Sequence, residues 1–401
     1  MSAVPAVLGG KPIFDSLVPV SSSTLPDYSK VEERYKDTFK TGMITNWKYV
    51  REYESSMAKY LDVKQAVAVS SATTGLLLTL KCLDMEGEVI LPSFTFSVSG
   101  HVLEWNNLTP VYVDIDPETC LIDPREVEKA ITPKTCAILG VHIWGNPCAA
   151  DQLQDIADRH GLQLIFDAAQ ATGTRYLEKP VGGFGRAEVF SCSPTKVVTS
   201  GEGGIIATND EELATKLRVG RNYGDDGSYD CDFAGINARM SELNAILGLA
   251  SLEMGNDNIS RRRELFGMYE SRLGRLPGIK FPKTTPGGVV NGVYFTIIID
   301  QDLFGLTRDQ LYISLKSDNV DTRRYYYPAL HQQSVNSKWA DQYKGKLPVT
   351  DFMSANTLTL PMFSHMTDEE ANGVCDAVER LHENAETVRD NWKDIETKAG
   401  K

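Results

Sequence analysis

LQLIFDAAQATGTRYLEKPVGGFGRAEVFSCSPTKVVTSGEGGIIAT, residues 162–208, contains three short apolar runs: LQLIFDA, AEVFSCS and GGIIAT. Each is too short for a helix and is bounded by glycine, proline or small polar residues, which marks buried strands. Upstream, VKQAVAVSS, EVILPSF, TPVYVDI and CAILGVHIWG repeat the pattern. Between the runs lie segments of helical period: TTGLLLTLKCL from Thr73, PREVEKAI from Pro124, and AADQLQDIADRHG from Ala149, which closes at Gly161 as a C-cap. The alternation predicts an α/β fold with seven strands in one large, mostly parallel sheet flanked by helices.

At 401 residues the chain exceeds what one core usually supports, so two lobes are expected. A large lobe would span 26–255. A smaller α+β lobe would span 256–401, with a strand (GVYFTIII) and helices at RDQLYISLKSD and DEEANGVCDAVERLHENAETV. The first 25 residues, with their Pro and Ser clusters, read as a surface segment. A net charge of -13 speaks against nucleic acid as a partner. No run approaches the length of a membrane span and no leader pattern opens the chain, so a cytoplasmic location is the default expectation. The seven cysteines are scattered without a C-x-x-C pair, which predicts reduced thiols and no metal site.

Ligands of open parallel sheets sit at the C-terminal ends of the strands. Four segments fall there. Asp167 and Gln170 follow LQLIF; a carboxylate in that place suits a pyridoxal-phosphate enzyme, whose protonated pyridine ring draws electrons from the reacting carbon. The same Asp would serve as a helix N-cap. Lys196 stands in a Ser/Thr-rich loop ahead of the GEGG turn. A lone loop lysine is by default a solvated charge, whereas a covalently reacting one needs partial desolvation, rigid support and nearby hydroxyls. Ser70 and Ser71 lead into a helix starting near Thr73, whose free N–H groups suit a phosphate or, equally, simple capping. Phe96 in LPSFTFSVSG is placed to stack on an aromatic ring or to join the core.

At these residues the chain resembles the sugar-nucleotide aminotransferases, the DegT/StrS-type group of fold-type I pyridoxal-phosphate enzymes. The likeness runs from TGMITNWKYVREYESSMAKYLDVKQAVAVSSATTGL through PSFTFSVSG, TPVYVDID, VHIWGNP, DAAQATG, SPTKVVTSGEGG, GINARMSELNAILGL and YYPALH to LTLPMFSHMTDEE. The resemblance implies that Lys196 is the Schiff-base lysine, Asp167 pairs with the pyridinium nitrogen, Gln170 contacts the ring hydroxyl and Phe96 stacks on the ring. It implies further that Ala72, Thr73 and Ser191 hold the phosphate in a homodimer. There Asn237, and with it Arg239, reaches the phosphate from the neighbouring subunit. Two departures stand out. Ala72 replaces a usual glycine in the phosphate turn, which forbids a positive φ there, and Tyr223 replaces a common histidine.

The implied activity is transamination of a keto sugar on a nucleoside diphosphate, with L-glutamate as amino donor and pyridoxamine 5′-phosphate as the intermediate cofactor form. Lys196 sets the chain apart from the dehydratases of the group, which carry histidine instead. Arg323, Arg324, Tyr327, His331 and His142 are candidates for the acceptor side, each of them equally open to a solvated or interface role. The rival readings are an aminotransferase for a keto-cyclitol or another ring ketone, and a non-catalytic ligand-binding or regulatory protein.

Overall fold

Seven strands form one sheet: β1 (Gln65–Val69), β2 (Glu88–Pro92), β3 (Thr109–Val113), β4 (Thr135–Val141), β5 (Gln163–Asp167), β6 (Ala187–Ser191) and β7 (Gly204–Thr208). Their spatial order is β1-β7-β6-β5-β4-β2-β3. All seven coincide with the apolar runs read from the sequence. The computed structural model describes residues 4–399, so the first three residues of the 1–25 segment and the last two of the 256–401 lobe lie outside the described residues. Pairing is parallel from β3 through β2, β4 and β5 to β6. The one reversed strand is β7, antiparallel to both β6 and β1. Antiparallel neighbours need no crossover helix, so β6 reaches β7 through the 192–203 loop alone. Every residue of β6 and β7 is buried, which is why neither run alternates in polarity.

Helices α1 (Glu32–Thr41) and α2 (Lys48–Leu61) precede the sheet, where the sequence pattern gave no expected element. The N-terminus of α2 has no side-chain cap of its own. It borrows Glu242, whose carboxylate accepts the backbone N–H groups of Trp47 (2.7 Å), Tyr49 (2.7 Å) and Val50 (3.1 Å). Glu242 is buried at 1% exposure, so those three donors are its compensation.

Helix α3 (Ala72–Cys82) starts one residue before the expected Thr73. Ser71 caps it with extended backbone, and Ser71 and Thr74 bond reciprocally as a capping box. Ala72 is therefore an ordinary first helical residue, absent from the positive-φ residues of the chain, and the concern that this turn needs glycine does not apply. The requirement falls instead on Gly204 of β7: an added Cβ there would sit 2.6 Å from the backbone of Ser71 and Ala72. Further along come α4 (Ser97–Trp105), α5 (Pro124–Ala130), α6 (Ala150–His160, closed by left-handed Gly161), α7 (Glu211–Gly220), α8 (Glu242–Glu253) and α9 (Gly255–Leu273).

Core membership changes along α9. Ile259 packs with the large lobe, whereas Leu265, Tyr269 and Leu273 pack with Phe295, Ile297 and Ile299 of the second. That lobe holds a three-stranded antiparallel sheet, Ile279–Lys280, Phe295–Ile299 and Thr357–Leu360, covered by the helices Arg308–Ser317 and Asp368–Glu383. The N-terminal segment lies on this lobe and is more than a surface loop. Val18 bridges Val320, and both Val18 and Val20 are buried.

Replacing the shared cap tests how the helices are tied together. Glu242→Ala leaves three N–H groups without an acceptor, two of them buried, and should lower stability by about 2–4 kcal/mol, read as a reduced urea midpoint with an unchanged slope.

Candidate active site

The C-terminal ends of β1, β2, β4, β5 and β6 surround a cavity of about 290 Å³, closed on its remaining side by Tyr294, Tyr325 and Tyr326 from the second half of the chain. Ala72, Thr73, Phe96, His142, Asp167, Gln170, Ser191 and Lys196 all line it. A larger surface groove of about 740 Å³, along Lys81, Glu211, Lys216 and Phe233, contains none of the residues singled out by the sequence.

Lys196 is half-buried, and its loop is pinned from three directions. Within the loop, the Cys192 carbonyl accepts the Ser200 N–H (2.8 Å) and the Thr199 hydroxyl (3.1 Å). From α8, Ser251 accepts the Thr199 N–H (3.0 Å) and Asn244 donates to the Ser200 carbonyl (2.7 Å). From α9, Asn258 donates to the Val197 carbonyl (3.3 Å). Residues 197–200 are fully enclosed, so the amine projects from a rigid support.

Asp167 ends β5, almost fully buried. Its Oδ2 accepts from the Ser99 hydroxyl (2.8 Å) and its Oδ1 from the Ala169 N–H (3.1 Å). Burial pushes its carboxyl above the ordinary range, against the opposing pull of these donors and of Lys196. No cation makes an ion pair with it among the described residues. A carboxylate held so expects a positively charged ligand group.

Opposite it, the first turn of α3 offers an anion seat. Thr74 N–H is taken by Ser71 and Gly75 N–H by the Ser71 carbonyl. The N–H groups of Ala72 and Thr73 have no acceptor among the described residues, and the Thr73 side chain is exposed to the cavity. Ser191 lies nearby, its hydroxyl donating to Ser193 (3.1 Å). Phe96, 55% exposed, forms an apolar wall. The Gln170 amide is engaged on both sides: its Oε1 accepts from Trp144 N–H (2.5 Å) and its Nε2 donates to the Tyr326 hydroxyl.

His142 is fully buried and stacks on Phe166 (4.8 Å between centroids). Its Nδ1 accepts the Cys148 N–H (2.9 Å), so the ring proton sits at Nε2, facing Glu188 (3.1 Å). It braces the floor beside Asp167.

Six expected residues lie outside this cavity. Asn237 is exposed, and Arg239 donates to Asn222 (2.6 Å) and covers the Tyr223 ring. His331 is buried between Ser93 (2.7 Å) and Asp351 (3.0 Å), and burial outweighs the carboxylate in holding its basicity down. Arg323 and Tyr327, with Arg324, Tyr312 and Gln333, line a second cavity of about 270 Å³ that shares Thr95, Phe96, Tyr325 and Tyr326 with the first. Tyr294, Tyr325 and Tyr326 at the cavity and Ser99 on Asp167 are not among the residues expected from the sequence. The run of three tyrosines before Pro328 was the visible signal for two of them.

The model of the DegT/DnrJ/EryC1/StrS aminotransferase family matches residues 28–379. Among curated relatives, the dTDP-4-amino-4,6-dideoxy-D-glucose transaminase of Escherichia coli is 34% identical over 88% of this chain and 96% of its own. The GDP-perosamine synthase of Caulobacter vibrioides is 33% identical over 84% and 93%. Among solved structures, DesI in the presence of its TDP-sugar product superposes with a TM-score of 0.88 at 37% identity, covering 97% of this chain and 98% of that one.

Because the raised Asp167 carboxyl holds its proton more tightly folded than unfolded, stability of the cofactor-free protein should fall as pH rises from the ordinary carboxyl range through the raised value. Asp167→Asn removes that slope. At neutral pH its cofactor-free form should melt at a higher temperature than wild type, measured by calorimetry across pH.

Proposed function

The chain belongs to the DegT/DnrJ/EryC1/StrS aminotransferase family, and on that premise we propose that it passes an amino group to a keto sugar carried on a nucleoside diphosphate. The donor is an amino acid, with L-glutamate the first to test, and the cofactor is pyridoxal phosphate. The observation that carries this reading is the convergence of complementary groups on one cavity. Lys196 supplies an amine, Asp167 an unpaired carboxylate for a ring nitrogen, Phe96 an apolar ring wall, and Ala72 and Thr73 free N–H groups for a phosphate. The aldehyde, ring nitrogen, ring face and phosphate of the cofactor would each meet a group of matching chemistry there.

When bound, the cofactor supplies an electron sink for the carbon that loses its proton. The residues do the rest. Asp167 stabilises positive charge on the ring nitrogen, the α3 N-terminus neutralises the phosphate, and the Lys196 amine carries protons between reacting carbons. The relatives named above act on dTDP- and GDP-linked sugars, which supports a nucleotide-linked acceptor here. The second cavity offers it room: Arg323 and Arg324 line it while partly exposed, and Tyr327 lies between Arg308 (4.7 Å) and Arg324 (5.2 Å).

A homodimer belongs to this proposal, with Asn237 and Arg239 of one copy completing the phosphate seat of the other. An exposed apolar patch supports it. Met43, Ile44, Trp47 and Leu243 are each more than a third exposed, and Ile44 is bonded to the start of α8.

Borohydride reduction of the loaded protein, followed by peptide mapping, should fix the cofactor on Lys196; a label on another lysine defeats the assignment. Lys196→Ala should lose turnover by at least ~10³-fold. A panel of nucleotide-linked keto sugars against free keto-cyclitols, offered to the aminated cofactor form, should consume only the former. Arg323→Ala should raise KM for that acceptor about tenfold while sparing the glutamate half-reaction.

A further inference from the structure

Three tyrosines close the cavity, and one is unlike the others. Tyr294 is 5% exposed and directly precedes the strand Phe295–Ile299. The Lys196 Nζ lies 5.6 Å from its ring centroid. Tyr325 packs edge-on against the same ring at 5.5 Å. Behind it stands Arg262 of α9, 1% exposed and among the largest fully enclosed side chains. Its Nε donates to Ser364 Oγ (2.8 Å) and its Nη1 to the carbonyls of Val293 (3.1 Å) and Met362 (3.2 Å). No carboxylate pairs with this guanidinium among the described residues. A buried cation without an anion is costly. Through the Val293 carbonyl the guanidinium is tied to the residue directly before Tyr294.

We infer that Tyr294 is a further catalytic residue, an acid–base partner of Lys196 whose negative form is stabilised by Arg262. The step is a single proton transfer. The Tyr294 phenolate takes a proton from the Lys196 ammonium, giving a neutral phenol and a neutral amine, and the reverse transfer restores both charges. The lysine is thereby readied as nucleophile and base without exchanging protons with water.

The surroundings support that division of labour. Burial alone would raise the Tyr294 phenol, yet Lys196, Thr195 and Arg262 together bring it below the ordinary value. Tyr325 is pushed up to about 12, by burial first and by Tyr294 second, and Tyr326 stays well above the ordinary range, again through burial. Neighbouring groups of one type driven apart in this way mark the acid and the base of a site. The groups facing Tyr294 are Lys196 and Thr195 from the pinned loop, Arg262 from α9, and Tyr325 and Tyr326 from the aromatic turn, with Asp167 across the cavity.

The inference rests on reading Lys196 as the reacting amine, and the test separates the two. In cofactor-free protein, near-ultraviolet titration should show one phenolate forming below the pH of the remaining tyrosines. That component should vanish in Tyr294→Phe and move to higher pH in Lys196→Met, which removes the neighbouring cation. In loaded protein, Tyr294→Phe should still be labelled at Lys196 by borohydride. Its glutamate half-reaction should slow ~10²-fold, with the acid limb of its pH–rate profile displaced upward because the ammonium must now lose its proton to solvent. A titration identical in wild type and Tyr294→Phe, or an unmoved acid limb, overturns the inference. Labelling away from Lys196 with the phenolate component intact would strike the reading of Lys196 instead.

Discussion

The site depends on the reversal of one strand. Because β7 runs against both its neighbours, the chain leaving β6 must turn back within the 192–203 loop, over the same edge where β4 and β5 end. A parallel β7 would have sent the chain away through a crossover helix and left this edge without a lysine. The reversal also brings Gly204 against the start of α3, where no side chain fits. The lysine loop and the first turn of α3 are thus fixed to one another through backbone contact.

Around this frame, charge is handled in two ways. Where a charge serves the architecture it is paired or fully bonded: Glu54 with Arg221 and the Ala68 N–H, Glu188 with His142 and the N–H groups of Gly182 and Phe184, Glu242 with three N–H groups. Where charge faces the cavity it is left incomplete. Asp167 has hydrogen bonds but no cation, and Arg262, enclosed behind the Tyr294 side of the cavity, has hydrogen bonds but no carboxylate among the described residues. Buried groups kept short of partners in this way are held ready for charge that arrives or moves during reaction.

The sheet was legible because its strands are buried on both faces and therefore read as unbroken apolar runs, as GGIIAT and LQLIFDA do. Lys196, Asp167, Gln170, Thr73 and Phe96 were legible because each follows such a run directly, where strand ends collect ligands. Helices α1 and α2 escaped, since the cap that starts α2 lies far off in sequence, at Glu242. Tyr294 escaped for a related reason: within GVYFTIII it is one apolar residue among many, and its acidity comes from Lys196 and Arg262, which the chain brings there from other elements. His331 and His142 carried no sign of being braces, because their partners Asp351 and Glu188 are distant in sequence.

One consequence of α9 is mechanical. This helix is a single rod of 19 residues, about 28 Å long. Its first turns grip the lysine loop through Asn258, its middle carries Arg262, and its far end is embedded in the second core. Lysine loop, buried guanidinium and second core therefore hang on one element, and a break within that helix would loosen all three at once.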